Sequence, residues 1–151
     1  EARGSVVGID HTTTPGEILL AAYEGVAHSL VQSIEVLHAH SSGIDSDAPI
    51  ILVGGGAKGK IWQKTISRLS GRELVIPKSG ELVAYGAAAQ AAGILNNEAA
   101  VDVATRWNVS DGPRLAASAV DSEAIERNQC IREAAHELNS REFFAIPQSR
   151  T

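Results

Sequence analysis

The residues best suited to chemistry in this chain run from Ile50 to Ile61, Ile-Ile-Leu-Val-Gly-Gly-Gly-Ala-Lys-Gly-Lys-Ile. Four apolar, mostly β-branched residues predict a fully buried strand. Gly54-Gly55-Gly56 stops it, and a helical periodicity begins near Lys60. A strand, glycine turn and helix start in this order gathers backbone N–H groups and the positive end of a helix dipole at one spot. That arrangement suits an anion or a nucleotide phosphate. Lacking Cβ atoms, the glycines also let a flat or charged ligand touch the main chain. The chemistry implied is nucleotide binding.

Two short motifs compete for the same residues. Gly54-x-Gly56-x-x-Gly59 fits the dinucleotide fingerprint, which requires a carboxylate about 20 residues on, at the end of the next strand. Here Leu74-Val75-Ile76 runs into Pro77-Lys78 instead. Gly54-x-x-x-x-Gly59-Lys60 fits most of a P-loop, but Ile61 stands where the Mg²⁺-binding Ser or Thr belongs. Each motif lacks the residue that would do its chemistry.

The elements that must hold this turn are legible on both sides. Thr14-Pro15-Gly16-Glu17 is a helix start, with Thr as N-cap, Pro at the first helical position and Glu three residues after the cap. Leu19, Tyr23, Val26, Ala27, Leu30, Ile34 and Leu37 continue it as an apolar stripe to about His40. A second helix over 60–70 buries Ile61, Thr65, Ile66 and Leu69 and stops at Gly71. A second strand covers Glu73–Ile76. A third helix follows Gly80 with Ala84, Gly86, Ala87, Ala88, Ala91, Ala92 and Gly93, small residues that permit close backbone approach. Residues 96–118 read as irregular with one short helix at Ala99–Trp107. Asp121 or Ser122 caps a last helix reaching about Leu138, and Phe143, Phe144 and Ile146 are expected to dock the tail. This order implies an α/β fold with parallel strands under covering helices, although two short strands are few for such a sheet.

Composition narrows the classes. At 151 residues the chain suffices for one domain with a core. Its formal charge of −5 argues against a general electrostatic nucleic-acid binder. No apolar run approaches a membrane span and no signal peptide is evident. Cys130 is the single cysteine, which excludes an internal disulfide and fits a reducing, cytoplasmic setting. The sequence contains no methionine, which predicts a piece cut from a longer protein.

A wider pattern surrounds the turn. Gly54-Gly55-Gly56-Ala57-Lys58, Trp62, Gly71, Pro77, Glu81 and Ala84-Tyr85-Gly86-Ala87-Ala88, with Arg3-Gly4, Gly8, Thr13, Leu19 and Glu24-Gly25-Val26-Ala27 upstream, resemble the C-terminal signature of the FGGY carbohydrate kinases. The likeness is strongest to the xylulokinase members and covers roughly residues 1–95. Gly59, where Ser is commoner, and Ser67-Arg68, where many members carry Ala-Asp, depart from the pattern. The resemblance implies the C-terminal part of an actin-like, ribonuclease-H-like ATPase domain whose first three strands precede Glu1. It divides the chain into a nucleotide-binding part, 1–98, and a helical extension, 99–151, packed on the same domain. It further implies a parent enzyme that transfers the γ-phosphoryl of MgATP to D-xylulose. The catalytic Asp, the sugar contacts and most of the Mg²⁺ site would lie outside this chain, and homodimers are common in the family. Within the chain, Gly54, Gly55, Gly56 and Ala57 would face the adenosine portion of ATP or ADP, with Lys60 at its edge. No catalytic residue and no metal ligand is expected here. A non-catalytic actin-like interaction module and a P-loop NTPase stand as alternatives.

The other candidates have plainer roles. Lys58 reads as a solvated lysine at a helix start, Trp62 as a packing anchor and Glu24 as a structural ion-pair partner. Glu81 reads as a ligand contact or a support for the third helix. His38 and His40 are two apart on a helix and face different ways, so they make no metal pair.

Overall fold

The computed structural model describes residues 5–41, 45 and 47–140. Helix α1 (Pro15–His40) begins as its first residues require. The Thr14 hydroxyl accepts the amide of Glu17 at 3.3 Å, and the Glu17 carboxylate accepts the amide of Thr14 at 2.8 Å. This reciprocal cap satisfies two donors that the helix itself leaves free. Then follow β1 (Ile50–Ile51), a single 3₁₀ turn (Gly55–Lys58), α2 (Lys60–Ser70), β2 (Leu74–Val75), α3 (Leu82–Asn96), α4 (Ala100–Arg106), β3 (Arg114–Leu115) and α5 (Ser122–Ser140).

The three strands form one sheet in the order β1-β2-β3. β1 and β2 are parallel, with Ile50 opposite Leu74 and Ile51 opposite Val75, and α2 is the crossover between them. β3 adds an antiparallel edge, Leu74 opposite Leu115 and Val75 opposite Arg114. This strand falls in the stretch read as irregular, because two residues show no periodicity. What allows it is Gly112, where a Cβ would lie 1.9 Å from the carbonyl oxygen of Ile76. Only a glycine lets the returning chain come that close.

The core is small. Ala27 and Val31 of α1, Ile66 and Leu69 of α2, Leu74 of β2 and Ala124 of α5 are buried together, with Ile50, Leu52, Trp62, Ile76, Leu115 and Ile125 packed around them. Three expectations change here. The fully buried strand has one bare face: Ile51 and Val53 are 47% and 60% exposed, while Ile50 and Leu52 turn inward. The α1 stripe is displaced as well. Of the stripe, Ala27 is buried as expected but Leu19, Val26, Leu30 and Leu37 are exposed, and His28 and Val31 are covered instead, because α1 presents apolar residues on two faces and α2 and α5 cover only one. Ile61 is likewise exposed, whereas Thr65, Ile66 and Leu69 are buried as predicted. The small residues of α3 meet little but α4; only Ala89 and Gly93 are buried on that helix. Gly93 permits the α3–α4 connection, since a Cβ there would stand 2.7 Å from the Glu98 carbonyl oxygen. The docking expected of Phe143, Phe144 and Ile146 lies outside the described residues.

An ionic hub joins three helices. The Arg68 guanidinium, on α2, pairs with Glu24 of α1 and with Asp121 at the start of α5, and Arg127 approaches Glu24 from α5 at 3.5 Å. Asp121 also caps α5, accepting the Ala124 amide at 2.9 Å. Glu24 therefore has the structural role expected of it. Below the hub, Gly71 ends α2 at φ +65°, in the left-handed conformation that favours glycine.

Arg68→Ala strips Glu24, whose side chain is only 12% exposed, of its main partner. It is expected to destabilise the fold by about 1–3 kcal/mol, the cost of a half-buried charge left poorly paired, as measured by urea unfolding.

Two titrating groups set a pH dependence. His28 is 3% exposed; burial disfavours its charged form and Arg132 adds repulsion, so its pKa lies below the ordinary 6.5 despite the opposing pull of Glu35. The Ala124 amide, and then Arg68, hold the Asp121 carboxyl below its ordinary 3.8. Both folded-state values are depressed, so each contribution is present above the unfolded pKa and fades as pH falls through the folded one. The melting midpoint is expected to drop in two stages, one starting below about pH 6.5 and one below about pH 4. His28→Phe removes the first stage and Asp121→Asn diminishes the second.

Candidate functional site

The glycine turn folds as a short 3₁₀ segment between β1 and α2. Gly54 opens it at φ +89°, a conformation L side chains rarely adopt, so its glycine is required by the backbone. Within the turn the Ala57 amide donates to the Gly54 carbonyl and the Gly59 amide to the Gly56 carbonyl, each at 3.1 Å. The Ala57 methyl points inward and is 5% exposed.

Gly55 and Gly56 share with Gly25, Gly80 and Gly86 an absence of local need for glycine, but of these five only Gly55 and Gly56 line the cleft described below. Neither has positive φ, and a Cβ built on either meets nothing within 4 Å. The fold of this chain gives no reason for glycine at either place. Among the described residues their amides have no hydrogen-bond acceptor. Just beyond, α2 starts at Gly59 without a side-chain cap. The first backbone donors of the turn and helix therefore point to an open surface, where an anion can accept them.

The bare side of the turn faces a cleft of about 480 Å³. Leu19, Ala22, Tyr23 and Val26 of α1 form one wall; Gly55, Gly56, Gly59 and Trp62 form the other. The rings of Tyr23 and Trp62 lie 5.9 Å apart, centroid to centroid, and tilted by 46°, so Trp62 is a packing anchor that also lines the cleft. The cleft is mostly apolar, with donors at one rim, which is the composition a planar heterocycle with a charged tail requires.

Charge supports the same reading. In a chain of formal charge −5, the stretch from Ile50 to Arg72 contains Lys58, Lys60, Lys64, Arg68 and Arg72 and no carboxylate. Arg68 is held by its acids and Arg72 by the Ala48 carbonyl, its Nε donating at 2.9 Å. Lys58, Lys60 and Lys64 have no ion-pair partner among the described residues, and Lys58 and Lys60 flank Gly59 at the head of α2.

Of the candidates read from sequence, Gly55 and Gly56 line the cleft. Gly54 shapes the turn, Ala57 anchors it from beneath, and Lys60 stands exposed as the first residue of α2. Ala57 thus offers no side chain to a ligand. Glu81 is the exposed residue preceding α3, its amide donating to Ser79 Oγ at 3.2 Å, and it caps nothing with its carboxylate. Among the described residues no group of three or more His, Cys, Asp or Glu side chains is placed to hold a metal ion. The α1 wall was not foreseen as part of the site. Its signal was the 19, 23, 26 spacing, which marks an apolar face but does not say whether protein or ligand covers it.

Comparison with known proteins identifies the family. A xylulose kinase of Streptomyces coelicolor is 49% identical over 127 residues, 83% of this chain and 26% of that protein. A xylulose kinase of Streptomyces rubiginosus is 45% identical over 126 residues, again 83% of this chain and 26% of the relative. The xylulose kinase of Escherichia coli is 32% identical over 97 residues, 64% of this chain and 19% of its own length. The chain thus spans about a quarter of the two Streptomyces relatives. Residues 1–94 match the C-terminal domain of the FGGY family of carbohydrate kinases, a span that contains α1, the turn, the cleft and all but the last two residues of α3. The chain belongs to the FGGY family of carbohydrate kinases.

Proposed function

We propose that this chain supplies one wall of the ATP site of a cytoplasmic sugar kinase that phosphorylates D-xylulose. The observation that carries the reading is the pair Gly55 and Gly56, bare where the backbone imposes no need for glycine, with unpartnered amides at the rim of an apolar cleft. A base fits against Leu19, Tyr23, Val26 and Trp62, and the phosphates run toward the α2 start and its lysines. In this reading residues 1–98 are the C-terminal part of an actin-like, ribonuclease-H-like domain, and residues 99–151 brace it. The base that activates the sugar hydroxyl, the sugar contacts and most of the Mg²⁺ ligands come from the portion of the relatives outside the matched span. The parent is a homodimer by family analogy.

The residues of this chain bind and orient. Phosphoryl transfer depends on holding the γ-phosphoryl in line with the attacking oxygen, so a turn that fixes the nucleotide contributes through geometry. In the kinase that carries this turn, Gly56→Val places a side chain at the cleft, where a Cβ meets nothing within 4 Å. It is expected to lower kcat/KM for ATP by about ten- to hundredfold, with the KM for xylulose unchanged. Lys60→Ala, removing one exposed charge from the edge of the site, is expected to cost about fivefold at most. Steady-state kinetics on both substrates check this. The P-loop alternative requires the opposite, an essential Lys60 and a tolerant Gly56. A normal response to Gly56→Val would remove the ATP-wall assignment, leaving an interaction module as the reading.

A further inference from the structure

Backbone hydrogen bonds hold the glycine turn in shape, and one side chain adds a further bond. The backbone bonds, among them Ala57 to Gly54 and Gly59 to Gly56, are internal to the turn. The side-chain bond is donated by Gln63 Nε2, on the first turn of α2, to the Ala57 carbonyl oxygen at 2.6 Å. Among the described residues no other side chain bonds to residues 54–58. The main-chain amide of Gln63 donates to the Gly59 carbonyl at 2.9 Å, the first bond of α2, so its side chain springs from the ordered start of that helix. Its side chain is half-buried beneath the turn, not in the cleft.

We propose that Gln63 is a positioning residue for the nucleotide, fixing through the Ala57 carbonyl the turn that aims the Gly55 and Gly56 amides at the ligand. The inference rests on the nucleotide-site reading above and adds to it the group that keeps the site preorganised. The physical need is clear from the turn itself. A 3₁₀ segment has poorer hydrogen-bond geometry than an α-helix and rarely persists beyond a few residues. This one contains consecutive glycines, each with more backbone freedom to lose than any other residue. Backbone bonds confined to one short turn tie it only to itself and not to the body of the protein. A donor fixed to the rigid body of α2 and bonded to the middle of the turn removes that freedom before ligand arrives, so binding need not order the segment.

The test uses the full chain, labelled with ¹⁵N and titrated with ADP. Four proteins are compared: the native chain, Gln63→Met, Gly56→Val and the two combined. Met matches Gln in length and flexibility but donates no hydrogen bond. ADP is expected to shift the Gly55 and Gly56 amide resonances of the native chain. Gln63→Met is expected to raise the ADP dissociation constant about five- to tenfold, the scale of one hydrogen bond. In the ligand-free Met variant, hydrogen exchange at Ala57 and Gly59 should quicken while exchange at Thr65–Leu69 and the melting midpoint stay near native. That pattern separates positioning from a general loss of stability, which would quicken exchange throughout α2. Gly56→Val should weaken ADP binding further, and the combined variant should bind no more weakly than Gly56→Val alone. Unchanged ADP affinity in Gln63→Met, with Gly56→Val still defective, would overturn the role of Gln63 and spare the nucleotide site. Unchanged affinity in Gly56→Val, or no ADP response in the native chain, would overturn both.

Discussion

The turn can present bare backbone to a ligand because one residue in its middle does not. Ala57 is buried, and its methyl pins the 3₁₀ segment to the body of the protein while Gly55 and Gly56 stay open on the other side. A larger residue at 57 would have to displace the core edge, and a polar one would be buried without a partner. The turn thus divides its sequence by function. Gly54 supplies the conformation, Ala57 the anchor, and Gly55 and Gly56 the accessible surface.

Helix α2 transmits that anchoring to the rest of the fold. Its first turn holds the Ala57 carbonyl through Gln63, its middle buries Thr65, Ile66 and Leu69, and its last turn places Arg68 between Glu24 and Asp121. Gly71 then reverses the chain toward β2 beneath Val120, whose Cγ2 lies 2.4 Å from where a Cβ would stand. A short helix with polar residues on its open face has little intrinsic stability, and packing on one side must supply it. The ionic hub adds direction to that packing, because it fixes α2 against both α1 and α5 at the end remote from the turn. Its buried carboxylate makes the geometry costly to leave, though the pairs themselves contribute little net stability.

How much of this was legible depended on how local each cause was. The Thr14 cap, the limits of α2 and the left-handed Gly71 were visible because a few adjacent residues determine them. The glycine turn was visible for the same reason, as was its place between a strand and a helix. β3 was not, since its pairing depends on Gly112 meeting Ile76 across 36 positions of sequence and leaves no periodic trace. The stripe of α1 was legible at Ala27 but not at Val31, because Leu19, Val26, Leu30 and Leu37 are as apolar as Val31 and periodicity cannot rank two apolar faces. Gln63 escaped notice because a glutamine one turn into a helix reads as a solvated residue until its partner is known. The lysine-rich, acid-free run from 50 to 72 was open to inspection, but its meaning needed the turn's unpartnered amides beside it.

The apolar cleft and the lysine-bearing helix start also explain why neither short motif fits. A dinucleotide fingerprint reads its ligand through a ribose-binding carboxylate, and a P-loop wraps phosphates with a lysine and a metal-bound hydroxyl. This turn offers instead a flat backbone face beside a hydrocarbon and aromatic wall, with positive charge set at one edge. Such a surface gains most from shape and from the removal of apolar area from water, and least from directed polar contacts. Orientation must then come from the few amides at the rim. Their precision is therefore worth more here than in a site rich in side-chain donors, and the hydrogen bond beneath them is correspondingly placed on the rigid helix.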